Sequence, residues 1–303
     1  MLAASLCSAP MAFGLGSFSG GVQEKQPEAP AEKKEEAKPQ TAAESAKGKK
    51  QEKGKAEVIT MSPVEKVVEL AILLYGGRLQ LEKVRSGVQE TGTIRLATDQ
   101  GDITGSYIFR SLKREKSWDD LIRVDLDLSP PADAQRQGAN SIKYTIAFNG
   151  ASIWSAQNNQ YVNSKAEVEA AFRAQLTHEF TALLRYKEDG SKIELIGPET
   201  VVGVESNVVE LTNPQGEKTR YWVSIKTYRI LHAEYELKLV EGQPPTKYRV
   251  SYFYSPYRVI QNTLVPTRKV MTQDGKFVQE VALTDFQYSA KLDPEIFQHL
   301  QEK

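Results

Sequence analysis

The sequence contains a single cysteine, three histidines and no excess of charge of either sign. One thiol, Cys7, cannot form an internal disulfide. The histidines, His178, His232 and His299, lie too far apart for a zinc-binding spacing. The 39 basic residues balance 39 acidic ones, which argues against a nucleic-acid-binding protein. No apolar run reaches the roughly 20 residues that a membrane-spanning helix needs.

Motifs for catalysis are also missing, since G-x-S-x-G, P-loop and G-x-G-x-x-G patterns do not occur. His178-Glu179 lies on a predicted helix without a second ligand three or four residues away, so we interpret His178 as a partly exposed helix residue. The adjacent Asp119 and Asp120 would point to opposite faces of a strand or lie in a turn, which does not suit shared acid-base chemistry. We therefore expect no enzyme, no metal and no organic cofactor.

The first 20 residues carry no charge and are rich in small and apolar side chains. Ala12-Phe13-Gly14 offers a small-x-small cleavage pattern, so residues 1–20 resemble the end of a secretory signal peptide without its basic region. We predict export, to the periplasm or to the outer membrane; a disordered apolar tail is the alternative. Leu6, rather than a small residue, precedes Cys7, which argues against lipidation of that cysteine.

Residues 21–60 form a polar segment rich in Ala, Pro, Lys and Glu, with no aromatic residue. Such a composition cannot bury enough apolar surface to offset the entropy of ordering. We predict a disordered tether that either holds the folded domain, residues 61–303, away from a membrane or cell wall, or is a spacer that only adds solubility.

Three helices are predicted from local signals. Ser62 and Glu65 form a capping-box pattern before an apolar stripe that ends at Gly76-Gly77, and a short helix is expected at 79–84. Ser164 and Glu167 form a second capping-box pattern, and the helix that follows fades near residues 184–186.

Most other segments alternate apolar and polar residues with period two, which is typical of strands with one buried face. The pattern predicts about ten or eleven antiparallel strands, and Asp274-Gly275 is the clearest hairpin turn. Tyrosines on the inward face need partners for their hydroxyls, which suits an amphipathic cavity; ordinary core packing is the alternative. The inward-facing candidates for ligand binding are Ile122, Val124, Leu126, Tyr144, Ile146, Phe148, Leu231, Tyr235, Leu237, Tyr248, Val250 and Tyr252.

Two or three short helices cannot cover both faces of so large a sheet. The sequence therefore predicts a mainly β protein with some α-helix, in which one open, strongly curved antiparallel sheet wraps around the helices as an unclosed β-barrel. A closed barrel normally lacks the long helix inserted between the middle strands.

The order of these elements resembles the outer-membrane lipoprotein-sorting family, the periplasmic LolA/LolB-like carriers. The resemblance covers residues 64–301. The phrases that carry it are Thr91-Gly92-Thr93, Phe148-Asn149-Gly150 with Trp154, residues 252–260 (YFYSPYRVI), Leu264-Val265-Pro266-Thr267, Asp274-Gly275, and Leu292-Asp293 with Phe297.

The resemblance implies an unclosed barrel whose helices act as a lid over an apolar cavity for acyl chains of a lipid or lipoprotein, without catalytic residues. We expect a monomeric carrier whose membrane contact is at most transient. The alternative is an envelope protein-interaction or scaffold module whose core is filled by its own side chains. The tether, residues 129–140 and residues 241–246 depart from the family pattern and leave the cargo open.

Overall fold

The computed structural model describes residues 61–99, 101–130, 140–239, 242–252 and 255–299. The predicted leader 1–20, with Cys7, and the predicted tether 21–60 lie outside these residues. Within the described part, the chain forms fifteen strands, five α-helices and two short 3₁₀ turns.

Two helices begin the described chain, α1 (Pro63–Leu74) and α2 (Arg78–Val84). The predicted capping box is confirmed. Ser62 Oγ accepts a hydrogen bond from the Glu65 N–H at 3.3 Å, and the Glu65 carboxylate accepts one from the Ser62 N–H at 2.8 Å. Gly76 ends α1 with a φ of +127°, a conformation that favours glycine.

Thirteen strands form one antiparallel sheet in the order β6-β5-β4-β3-β2-β1-β15-β14-β11-β10-β9-β8-β7, and β12 and β13 form a separate hairpin. The predicted number of ten or eleven strands is too low, because β5, β6, β12 and β13 are short, with three to five residues each. The strands are β1 Gly87–Leu96, β2 Ile103–Leu112, β3 Leu121–Ser129, β4 Ile142–Phe148, β5 Ile153–Gln157, β6 Gln160–Val162, β7 Lys192–Val201, β8 Val204–Thr212, β9 Lys218–Ser224, β10 Ile230–Leu237, β11 Thr246–Ser251, β12 Tyr257–Ile260, β13 Thr263–Pro266, β14 Arg268–Gln273 and β15 Lys276–Tyr288.

The sheet of described strands is not closed, since β6 and β7 are its two edges. The chain passes from one edge to the other through α3 (Ala166–Thr177), α4 (Phe180–Leu184) and α5 (Tyr186–Asp189). We call residues 164–190 the helical crossover. The predicted second capping box is wrong, because Lys165 is the N-cap of α3 and Ser164 Oγ instead hydrogen-bonds to Ser155 Oγ.

The predicted hairpin at Asp274-Gly275 is confirmed and joins β14 to β15. Both residues have positive φ, +46° for Asp274 and +79° for Gly275, which is the geometry that two-residue hairpins favour. The Asp274 carboxylate also accepts a hydrogen bond from the Lys247 N–H at 3.1 Å. This contact ties the turn to the neighbouring strand β11.

The helices cover one face of the sheet, here called the inner face. One apolar cluster joins α1, α4 and strands β8–β11, with Ile72, Leu183 and Tyr248 almost fully buried. A second cluster joins β1–β4 and β15 to Phe172 of α3. Burying each such side chain is favourable by about 1.5–3 kcal/mol, so the inner face and its helices form the main core of the described chain.

Candidate ligand cavities beneath the helical crossover

Three small cavities lie between the helices and the inner face. Cavity A has a volume of about 90 Å³, cavity B about 50 Å³ and cavity C about 20 Å³. Cavities A and B share four lining residues, Phe109, Leu176, Glu179 and Lys269, so they are neighbours. Each is smaller than the roughly 300–1,000 Å³ of a typical small-molecule site.

Cavity B is mostly apolar. Helix α3 supplies Phe172 and Leu176, which are four residues apart and therefore lie on one face of the helix. The sheet supplies inward-facing side chains from six strands, because alternate residues of a strand point to the same face. These are Ile94, Tyr107, Phe109, Val124, Val250, Met271 and Val281.

Cavity A is lined by charged side chains as well as apolar ones. Its cations lie on α2 and β14 and directly after α2, β2 and α4. Its carboxylates lie on α2, β1 and α5, in the turn before β3, and between α3 and α4. The cations are Arg78, Arg85, Lys113, Arg185 and Lys269, and the carboxylates are Glu82, Glu90, Asp120, Glu179 and Glu188.

An ion pair stands at the boundary between cavities A and B. Lys269 of β14 contacts the carboxylate of Glu179, which lies between α3 and α4. Burial alone would lower the pKa of Lys269, but the charge of Glu179, together with Tyr107 and Glu90, raises it above its ordinary value. The ammonium is therefore charged at neutral pH and attaches the α3–α4 junction to the sheet.

A second charged network holds the end of the helical crossover. Arg185 contacts Asp120 at 2.6 Å and Glu188 at 3.1 Å. Burial raises the pKa of Asp120 to about 6 against the attraction of Arg185. The Asp189 carboxylate accepts hydrogen bonds from the Ser117 N–H at 2.9 Å and its hydroxyl at 2.6 Å. Asp120 thus pairs with Arg185 at the end of the helical crossover.

His178 follows the last residue of α3 and is buried, so the expectation of a partly exposed side chain is wrong. Its Nδ1 lies 2.6 Å from Thr219 Oγ1, and its ring stacks on Tyr235 with the centroids 4.2 Å apart. Burial lowers the pKa of His178 to about 4. The neutral ring therefore joins the end of α3 to β9 and β10.

The structure brings most of the predicted ligand-binding residues onto the inner face. Ile122 lines cavities A and C, Phe148 lines cavity C, and Val124 and Val250 line cavity B. The others are packed against neighbouring side chains and line none of the three cavities. They are Leu126, Tyr144 and Ile146 in the cluster on β1–β4, and Tyr235, Leu237, Tyr248 and Tyr252 in the cluster under α1 and α4.

Leu231 is the exception among the predicted residues. The pairing of β10 with β9 shifts between Ile230 and His232, and this irregularity changes the alternation of side chains. Ile230 belongs to the inner-face cluster, whereas Leu231 is buried outside it.

None of the ten charged residues of cavity A, among them Glu90, Glu179 and Lys269, is among the sequence-based candidates for ligand binding. A signal existed for two of these three. Glu90 shares a strand face with Val88 and Ile94, and Lys269 shares one with Met271, so each is a charge at an inward position of a period-two pattern. Glu179 depends on where α3 ends, which the pattern predicted poorly.

Within the described ranges, no group of three or more His, Cys, Asp or Glu side chains is arranged to hold a metal ion. Nor does any helix in these ranges have the length and apolarity that a membrane span requires.

Neither protein-family models nor curated protein sequences match this chain. Solved structures do. A DUF1329 family protein from Desulfovibrio piger matches at 16% identity over 79% of this chain and 98% of that chain, with a TM-score of 0.51. A LolA superfamily protein from Nitrosomonas europaea matches at 17% identity over 78% and 98%, with a TM-score of 0.48. An outer membrane lipoprotein-sorting protein domain from Vibrio parahaemolyticus matches at 13% identity over 77% and 97%, with a TM-score of 0.45.

The first of these matches shows that the chain shares the fold of that DUF1329 family protein. The predicted fold class, an unclosed antiparallel sheet with helices on one face, is confirmed. The resemblance to LolA-like proteins stays an expectation, because the two matches that carry that name have TM-scores below 0.5.

Proposed function

We propose that the protein is a non-catalytic, exported carrier or binding protein that holds a lipid or an acylated lipoprotein on the inner face of its sheet. The observation that carries this proposal is the pair of neighbouring cavities beneath the helical crossover, one apolar and one charged. An acyl chain needs an apolar wall of this kind, and its polar end needs charged or hydrogen-bonding groups. The periplasm or the outer membrane is the proposed location.

Loading requires the helices to move, because cavity B at about 50 Å³ is far below the size of a lipid site. The helical crossover suits such a movement, since it links the two open edges of the sheet. Phe172 and Leu176 cover the apolar wall that an acyl chain would take over.

Burying the chain is favourable by about 0.8 kcal/mol per CH₂ group, and the loss of helix contacts offsets part of this. Loading and release are then close to balanced, as transfer between partners requires.

The test is native mass spectrometry of the full chain, purified without detergent, followed by extraction of bound lipid. The wild type should carry a stoichiometric lipid or acyl peptide. Val281→Phe, which fills cavity B from β15, should carry less, whereas Val259→Phe on the exposed face of β12 serves as the matched control. Equal lipid occupancy in the two variants would contradict a ligand in cavity B.

The second candidate function is an envelope protein-interaction module with a self-filled core. Two observations favour it: most predicted ligand residues pack against one another, and edge strand β7 exposes Leu195 and Ile196. A partner strand could add to β7 by main-chain hydrogen bonds. A lipid-free wild type that takes up no added fatty acid would favour this function over the carrier.

A further inference from the structure

The charged groups of cavity A are not equally paired. Four of its five cations contact a carboxylate: Arg78 contacts Glu69 at 2.6 Å, Lys113 contacts Glu188 at 3.1 Å, Arg185 contacts Asp120 at 2.6 Å, and Lys269 contacts Glu179. Arg85 differs from these four. Within the described residues its guanidinium forms no hydrogen bond and no ion pair, and it lies 5.5 Å from the centre of the Phe180 ring.

Arg85 occupies the C-cap position of α2 and is half-buried in the wall of cavity A. A guanidinium has five N–H donors and binds carboxylate or phosphate groups through two parallel hydrogen bonds. Leaving such a group partly buried without an acceptor is unfavourable. Among the described residues the guanidinium is therefore available to bind an anion that enters the cavity from outside the chain.

Glu90 of β1, in the same wall, forms no ion pair with Arg85 within 4.0 Å. Its carboxylate accepts a hydrogen bond from the Tyr288 hydroxyl at 3.1 Å and has no cation within 4.0 Å among the described residues. Burial raises the pKa of Glu90, and Glu179 adds to this, while Lys269 and Arg85 act against it. The Glu90 carboxyl is therefore harder to ionise than an exposed one, which weakens its repulsion of an anion beside Arg85.

We infer that cavity A holds the anionic group, a carboxylate or a phosphate, of an amphiphile whose apolar chain occupies cavity B, with Arg85 as its principal ligand. The inference rests on the proposed function and names the class of ligand for that site. The two cavities meet at Lys269, Glu179, Phe109 and Leu176, so a chain that extends from A into B passes the Lys269 ammonium.

This arrangement couples binding to the helical crossover. An anion beside Lys269 competes with Glu179 for the ammonium, and Glu179 lies at the α3–α4 junction. Weakening that ion pair frees the end of α3, whose Phe172 and Leu176 cover cavity B. Arrival of the anionic group thus favours the displacement that admits the chain.

The experiment measures binding to the delipidated full-length protein by calorimetry with four ten-carbon probes: decanoate, decyl phosphate, decanol and decylamine. We expect the two anionic probes to bind more tightly than decanol, and decylamine no more tightly than decanol. Acetate and inorganic phosphate, tested alone, separate recognition of an amphiphile from recognition of a free anion.

Arg85→Gln should weaken decanoate binding about tenfold or more, the effect of losing one charge-assisted hydrogen bond, and should leave decanol binding unchanged. Retained decanol binding also shows that the variant is folded, and Arg85→Lys should restore part of the affinity. Arg229→Gln is the matched control, because Arg229 also lies over an aromatic ring, that of Tyr257 at 4.6 Å, but lines none of the three cavities. Glu90→Gln should bind decanoate at least as tightly as the wild type.

The outcomes separate the inference from the proposed function. If decanol and decanoate bind equally and Arg85→Gln changes neither, the carrier remains and the anion site is wrong. If decylamine binds best and Glu90→Gln abolishes its binding, the site prefers cationic ligands and the inference is overturned. If acetate or phosphate binds as tightly as the ten-carbon anions, the ligand is a small anion rather than an amphiphile. If no probe binds, both the carrier function and the inference fail.

Discussion

Burial of His178 should make the protein less stable as the pH falls from about 6.5 to about 4. The imidazole is enclosed between Thr219 and Tyr235, and burial lowers its pKa from 6.5 to about 4. Between these pH values the unfolded chain binds a proton that the folded chain does not bind. The free energy of unfolding therefore increases as the pH rises through this window and decreases as the pH falls through it.

The expected magnitude follows from the two pKa values. The gap between 6.5 and about 4, at about 1.36 kcal/mol for each pH unit, corresponds to a loss of roughly 3 kcal/mol between pH 7 and pH 4. His232 adds to the loss, since burial, assisted by Arg249, lowers its pKa to about 4. Asp120 acts in the opposite direction, because its raised pKa of about 6 gives stability that is lost as the pH rises.

The assay is urea unfolding at several pH values from 7 to 4 for the wild type and for His178→Gln. His232 and Asp120 are common to both proteins, so the difference between the two curves isolates His178. The wild type should lose about 3 kcal/mol more than the variant over this range. His299→Gln, which removes an imidazole near the C-terminus, is the control and should lose nearly as much stability between pH 7 and pH 4 as the wild type. A His178→Gln curve parallel to that of the wild type would refute the reasoning.

Three further predictions concern the core and can be checked by urea unfolding at pH 7. Lys269→Met should lower the free energy of unfolding by about 3–5 kcal/mol, because it leaves the Glu179 carboxylate unpaired. The double variant Lys269→Met with Glu179→Gln should recover most of this loss. If the losses of the two single variants instead add up in the double variant, the two residues are not coupled. Tyr248→Phe should be neutral or slightly stabilising, because its buried hydroxyl has no partner among the described residues. Tyr75→Phe should lower the free energy of unfolding by about 1–3 kcal/mol, because the Tyr75 hydroxyl accepts a hydrogen bond from the Ile230 N–H of β10. Equal effects of Tyr248→Phe and Tyr75→Phe would contradict the argument. Gly92→Ala should lower the free energy of unfolding by about 1–3 kcal/mol or more, since a Cβ at this position would lie 2.1 Å from the carbonyl oxygen of Ala282 in β15. A variant as stable as the wild type would show that β1 and β15 can move apart.

The elements of the fold were largely predictable because their signals are local. Alternation over residues 121–128 and 141–150 predicts two strands, and β3 and β4 begin and end within about two residues of those bounds. The Ser62 capping box predicts the start of α1. Short strands such as β6, at three residues, contain too few alternations to be recognised. The Ser164 pattern failed because that hydroxyl bonds across to Ser155 on β5 instead of capping the helix.

The candidate site was predictable only in its apolar part. Alternation placed Ile122, Val124 and Val250 on the inner face, where they line cavities. It could not show which inward-facing residues would leave space between them and which would fill it. The position of these spaces depends on how the helices pack against the sheet, and therefore on contacts between residues far apart in the chain.

Local patterns in the sequence were enough to predict the class of architecture and the inner face, because the strand period and the helix caps depend on residues a few positions apart. The chemistry of the cavities depends instead on contacts between residues that are far apart in the chain. Lys269 and Glu179 are 90 residues apart in the chain, and Glu90 and Tyr288 are 198 apart. Such pairs meet only when the sheet order and the path of the helical crossover bring them together. The same packing also left Arg85 unpaired within the described residues, which no local pattern records.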